Sequence, residues 1–123
     1  MRTYEKVTLY NKLYGLTKYS YMMVKNFPKE YKFSLGGEIC ALCFECLDLV
    51  IEANAIDNTK KSEKITELSM SFDKLKLRIR LAQEIKLISL GQFSHIQENY
   101  LIETGKMIGG FLKWSENAGG VVV

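Results

Sequence analysis

Leu75-Lys76-Leu77-Arg78-Ile79-Arg80-Leu81-Ala82-Gln83-Glu84-Ile85-Lys86-Leu87-Ile88 is the stretch on which the fold turns. Phe72, Leu75, Ile79 and Ala82 recur at steps of three and four, which places them on one side of an α-helix. The stretch therefore predicts the second half of a long helix with that side against a core. Lys76 and Arg80 lie four apart on a different side, and Lys74 and Arg78 form a second such pair beside them. Between Lys74 and Lys86 there are five basic residues and one acidic residue, Glu84. Exposed cations one turn apart on a rigid helix suit a polyanion or an acidic partner protein. A plainly solvated helix face has the same spacing, and the stretch alone leaves both readings open.

Working outward, this third helix is predicted from about Lys60 to Ser89. Ile65 and Leu68 extend its core stripe, Asp57 is placed to cap it, and Gly91 is placed for a left-handed cap at its end. A fourth helix follows from about Gln92 to Asn117. Phe93, Ile96, Tyr100, Met107, Phe111 and Trp114 line it, with Leu101, Ile108 and Leu112 alongside. Gly105 and Gly109 lie four apart, either for close approach of another helix or as two tolerated glycines. Ala118 to Val123 reads as a frayed tail, giving a domain over 1–117 and a flexible segment over 118–123.

Upstream, a second helix is predicted from Ser34, as N-cap, to about Ile56. Leu35, Ile39, Leu42, Cys46, Leu49 and Ala53 form its core stripe, and Cys40, Phe44, Leu47 and Ile51 widen it. Only Glu38, Ala41, Glu45, Asp48 and Glu52 mark a narrow wet side. Such a helix is buried on most sides, more than a lone bundle requires, which points to a subunit interface. The first helix is predicted from about Thr3 to Asn26, where Pro28 stops it. Leu9, Leu13, Leu16, Ser20, Met23 and Phe27 form its core stripe. Its tyrosines read as core-edge packing rather than base-stacking platforms. Phe27, Tyr31 and Phe33 are expected to plug the following loop onto the core. Four helices joined by short connections predict an all-α, antiparallel up-down-up-down four-helix bundle.

The 123 residues suffice for one domain with a real core, and the apolar (47%) and charged (25%) fractions are those of a soluble globular chain. The net charge of +3 is unevenly spread. Residues 1–33 hold seven basic and two acidic residues, and 58–86 hold eight and four. Residues 34–57 hold five acidic residues and no basic one. No run of about eighteen uncharged apolar residues occurs, so no membrane helix is expected. Met1 to Lys12 alternates charged and apolar residues and does not read as a secretory signal. A cytoplasmic protein is expected.

Little in the chain points to catalysis. Cys40, Cys43 and Cys46 have the C-x2-C-x2-C spacing that opens a cluster-binding motif. A fourth cysteine is missing, and the three fall inside a helical pattern, so core packing is the expected role and no metal or cofactor is predicted. His95, the one histidine, has no nucleophile or carboxylate pair placed around it. Gly36-Gly37 near a helix start could cradle an anion, but Glu38 follows directly. The carboxylates Glu38, Glu45, Asp48 and Glu52 lack the histidines and the partner helices of a di-metal bundle. They read as a solvated or inter-subunit stripe, and the protein is expected not to be an enzyme.

Three runs carry a resemblance. Phe27-Pro28-Lys29-Glu30-Tyr31-Lys32-Phe33-Ser34-Leu35-Gly36 resembles the turn between the first two helices of small bacterial four-helix-bundle proteins. That group includes proteins encoded by intervening sequences in ribosomal RNA genes and the accessory variability determinant (Avd) of diversity-generating retroelements. Leu75 to Leu81 and Glu103-Thr104-Gly105-Lys106-Met107-Ile108-Gly109-Gly110-Phe111 are similar to the Avd pattern, in which a basic residue follows glycine ahead of a small-small-aromatic step. The Avd resemblance implies a homopentamer of four-helix bundles with a basic surface. It implies binding to the retroelement's reverse transcriptase and to nucleic acid, RNA or DNA, in support of mutagenic cDNA synthesis. Lys76, Arg80 and Lys106 match the family's basic positions. Lys74, Arg78 and Lys86 extend that set by helix geometry. The modest net charge departs from a strongly basic member, so a salt-sensitive affinity is expected. The intervening-sequence relatives imply instead an RNA-associated bundle without a polymerase, and a purely self-assembling bundle is the third reading.

Overall fold

The structure, a computed structural model, describes residues 3–120, and their side chains over 8–117. It is 88% helical, an all-α four-helix bundle with no strand among the described residues. The elements are α1 (Thr3–Val24), the short α2 (Lys29–Lys32), α3 (Leu35–Ala55), α4 (Lys61–Glu84), α5 (Leu90–Ile96) and α6 (Ile102–Gly120). A single 3-10 turn, Asn58–Lys60, precedes α4. A π turn over Gln97–Leu101 joins α5 to α6, making them one rod. Each rod packs on its chain neighbours, α1 on α3 and α3 on α4, and α6 closes the ring against α4 and α1.

The predicted stripes of α1 and α4 are buried at every position. Leu9, Leu13, Leu16, Ser20, Met23 and Phe27 face Ile65, Leu68, Phe72, Leu75, Ile79 and Ala82 across a core completed by Ile39, Val50, Ile96 and Phe111. The three cysteines join that core as free thiols, and Cys43 Sγ donates to Ser20 Oγ at 3.5 Å. Burial pushes the Cys43 thiol up to about 11 and Cys46 to about 12, and it raises Cys40 as well. Iodoacetamide at about pH 8 is expected to modify none of the three in the folded chain and all three in denaturant, as mass spectrometry would read. The folded chain keeps thiol protons that the unfolded chain sheds from the ordinary value of 9.0 upward. This contribution to stability is complete below about pH 9 and is lost as the pH rises from there toward about 11.

Helix ends depart from the sequence reading. α4 stops at Glu84, five residues before the predicted Ser89, because Lys86 takes a left-handed φ of 67°. The Lys86 amide donates to the Gln83 carbonyl (2.9 Å) and the Leu87 amide to the Ala82 carbonyl (2.8 Å), a complete Schellman closure. Glycine normally takes that position, which is why Gly91 looked like the stop. Gly91 instead lies in the first turn of α5. Ser89 caps this helix, its Oγ accepting from the Gln92 amide (3.0 Å) while the Gln92 side chain accepts from the Ser89 amide (2.8 Å). That Ser-x-x-Gln capping box is written in the sequence and marks the true start of this helix.

Ser34 holds the N-cap position of α3 as expected, but its side chain caps nothing there: its Oγ donates backward to the Glu30 carbonyl at 2.7 Å. Asp57 makes no side-chain cap either. The stretch read as a loop after Pro28 contains α2, and α1 ends two residues early, at Val24. Gly36 is where close approach is real, since a Cβ there would lie 2.5 Å from Val24 Cγ1 and 3.2 Å from the Tyr31 carbonyl oxygen. Of the two readings of Gly105 and Gly109, tolerance fits the described residues: Gly105 has ordinary contact with Phe72 at 3.7 Å, and Gly109 faces open space. α6 runs on through residues 118–120 of the segment expected to fray, and 121–123 lie outside the described residues.

Candidate functional site

The outer face of α4 carries two kinds of side chain. Its inward stripe is spent on the core, and apart from the buried Lys61 and Ser71 its other positions are half-buried or exposed. Met70, Leu77, Leu81 and Ile85 are all between 43% and 56% exposed and follow one another along the helix. Their spacing of seven, four and four makes a second apolar stripe, opposite the first. Over 15 residues it runs about 22 Å at 1.5 Å per residue. Cations flank it on both sides. Arg78 leans toward α3, where its Nε donates to Glu38 Oε1 at 2.9 Å and its Nη1 to the Lys74 carbonyl at 3.1 Å. Lys76 and Arg80 lean toward α5, lining a cleft with Phe93, Gln97 and Leu101.

Three of the six basic residues singled out from the sequence are engaged by the chain's own carboxylates. Besides Arg78, Lys76 Nζ lies 3.2 Å from Asp73 Oδ1 and Arg80 Nε 3.4 Å from Glu84 Oε2. The Lys76 ammonium also sits over the Phe72 ring, 5.4 Å from its centroid. All three pairs are solvent-exposed, and such pairs contribute about 0–1 kcal/mol, so an incoming anion can compete for the cations. Lys74, Lys86 and Lys106 are exposed and make no ion pair among the described residues. Lys106 stands on α6 and lines neither cleft bordering the α4 stripe, so the structure does not gather all six residues into one patch.

The acidic side of α3 has a role within the chain. Glu38, Glu45 and Glu52 are seven apart and share a face. Glu38 pairs with Arg78, and Glu52 with Lys64 at 3.0 Å, tying α3 to α4 and raising the Lys64 pKa. The stripe read as solvated or inter-subunit is thus partly a seam between two neighbouring helices. A cleft of about 530 Å³ opens beside this seam, lined by Tyr31 and Leu35 on one wall and by Leu77, Leu81 and Ile85 on the other. Arg78, Arg80, Glu38 and Glu84 stand around it. The apolar half of this face escaped the sequence reading. The signal was the strict alternation of basic and apolar residues from Lys74 to Leu81, which leaves apolar side chains on both sides of a helix.

The bundle and this outer face define the class: a small all-α protein whose surface offers cations and large apolar side chains together. The chain belongs to the bAvd-like family, whose profile matches residues 7–115. It is an Avd-like protein, and that family is not known to be catalytic. No curated protein and no solved structure matches it significantly. No helix among the described residues is long and apolar enough to cross a membrane.

Proposed function

We propose that this chain is the non-catalytic accessory protein of a diversity-generating retroelement. It acts in the cytoplasm and engages the reverse transcriptase and nucleic acid, template-repeat RNA or cDNA, through its basic helix faces. Family membership supports the accessory role. The observation that carries the rest is the mixed face of α4, where an apolar stripe is bordered by Lys74, Lys76, Arg78 and Arg80. Phosphate contacts hold and orient without reading sequence, and they need only the cations. Leu77, Leu81 and Ile85 add what a protein partner rewards, so the enzyme is the main occupant of this face. Lys86 and Lys106 extend the positive surface beyond it.

Self-association is part of the same proposal, with five subunits by family resemblance. Phe44 and Ile51 on α3 support it. Both were expected to widen a buried face, and both are about half exposed in the single chain.

The test is co-purification of variants with the retroelement's reverse transcriptase and with labelled RNA. Leu77→Ser with Leu81→Ser is expected to weaken enzyme capture by tenfold or more, each leucine being worth about 1.5–3 kcal/mol when fully buried. Lys76→Ala with Arg80→Ala is expected to weaken capture chiefly at low salt. Both variants should melt like the parent. Undiminished capture of enzyme and RNA by both double variants would end the proposal.

A further inference from the structure

A second cleft, of about 610 Å³, opens on the other side of α3, between the end of α1 and the first turns of α3. Its lining includes Tyr21, Lys25, Lys32, Phe33, Gly37 and Ala41 and contains no carboxylate. Glu38 and Glu52 of α3 are turned to α4, where they pair with Arg78 and Lys64. Asp48, exposed on α3 two turns beyond Ala41, does not line the cleft. Lys18, seven residues before Lys25, lies on the same side of α1, its ammonium 5.0 Å from the centroid of the exposed Tyr14 ring. Neither Lys25 nor Lys32 makes an ion pair among the described residues. The aromatic groups are equally open. Phe33, expected to plug a loop, is 76% exposed, and Tyr21 is 50% exposed with Phe44 set edge-on to it at 5.9 Å. At Gly37 even a Cβ would meet nothing within 4 Å, so the wall there is open to a planar group.

We propose that this cleft is a binding site for single-stranded nucleic acid, with bases stacked on Tyr21 and Phe33 and phosphates held by Lys25 and Lys32. Two physical points select this ligand. Cations beside open aromatic faces, without competing carboxylates, are what a flexible strand uses: every base has a stackable face and every linkage a charge. A duplex keeps its base faces covered and gains only the lysines. A second copy docking face to face by the same patch would set lysine against lysine, which opposes that two-fold contact. The head-to-tail contact of a ring is distinguished by light scattering. The inference rests on the proposed function only in taking nucleic acid as a ligand, and it assigns the strand to a different face from the enzyme.

Fluorescence anisotropy with a labelled oligouridylate of about 15 nucleotides, at about 50 mM salt, tests it against a duplex of equal length. The parent is expected to prefer the single strand, and Tyr21→Ala with Phe33→Ala to lose about tenfold or more of that affinity. Phe33→Trp should restore binding in a Tyr21 background, with quenching of the new indole on addition of the strand. Lys25→Ala with Lys32→Ala should weaken binding and flatten its salt dependence. Melting curves would establish that each variant folds, as expected for exposed positions.

Equal affinity of the aromatic double variant and the parent overturns the assignment. So does loss confined to Lys74→Ala with Lys106→Ala, which would leave the proposed function standing with the strand elsewhere. An oligomer that falls apart in light scattering on Tyr21→Ala with Phe33→Ala would make the cleft a subunit interface and overturn the inference too. Failure of the parent to bind any strand or duplex removes this inference together with the nucleic-acid half of the proposed function.

Discussion

Ile79→Ala is expected to cost about 2–5 kcal/mol of folding free energy, while Leu77→Ala, two residues away, stays within about 0.5 kcal/mol. Both truncate a branched apolar side chain on the same helix. Ile79 is fully buried among the residues of the central core, so its removal leaves a cavity that rigid neighbours fill only in part. Leu77 is 56% exposed, and the water it displaces in the single chain is limited to one flank. A domain of this size has about 5–15 kcal/mol to lose, so the first variant should shift the urea midpoint strongly. The measurement should be run at low protein concentration, because any assembly that covers Leu77 would add its own stabilisation. Comparable losses at the two positions would mean that α4 is rotated from the orientation described.

A second large effect is expected at Lys61. This lysine opens α4 and is only 2% exposed, and its Nζ donates to the carbonyl of Ala53 in the last turn of α3. The ammonium thus meets the negative end of a helix dipole, where a cation is favoured. Lys61→Glu removes the donor and puts a carboxylate among carbonyl oxygens in a site with little water. A cost of about 3–5 kcal/mol follows from stranding a buried charge. Lys61→Met keeps the apolar stem and should cost about 1–3 kcal/mol, the loss of one donor to a buried carbonyl. Thermal melts of the two variants beside the parent check the order. A parent-like melting temperature for Lys61→Met would show that the ammonium contributes nothing to the end of α3.

The two proposals together would divide the surface between two kinds of partner. The face of α4 combines hydrophobic and cationic groups, and its cations already have weak partners. The cleft by Tyr21 and Phe33 has aromatic groups and lysines without such partners. The sequence reading left α4 to either a polyanion or an acidic partner protein and gave the tyrosines to packing. The division follows from where the carboxylates go. Glu38 and Glu52 lean toward α4, soften the positive field there and leave the lining of the cleft between α1 and α3 without a carboxylate.

Much of the bundle was legible before any coordinates. An apolar side chain every third or fourth residue records the direction of the core, and Leu9 to Phe27 and Ile65 to Ala82 kept that record without an exception. Chain ends of helices were less legible, because a lysine at φ 67° closes α4 where glycine is the usual signal. The candidate site was half legible. The positions of Lys74 through Arg80 on an outward face follow from the same periodicity. Their partners do not, since Arg78 meets Glu38 from 40 residues away.

By itself, then, the sequence determined four amphipathic helices, their order, the core stripes of α1 and α4, and the family. Only the tertiary structure decided which cations are engaged, which large apolar side chains stay outside, and where the carboxylate-free cleft lies. The physical reason is that periodicity is a property of one helix, whereas pairing and exposure depend on which helix stands beside it.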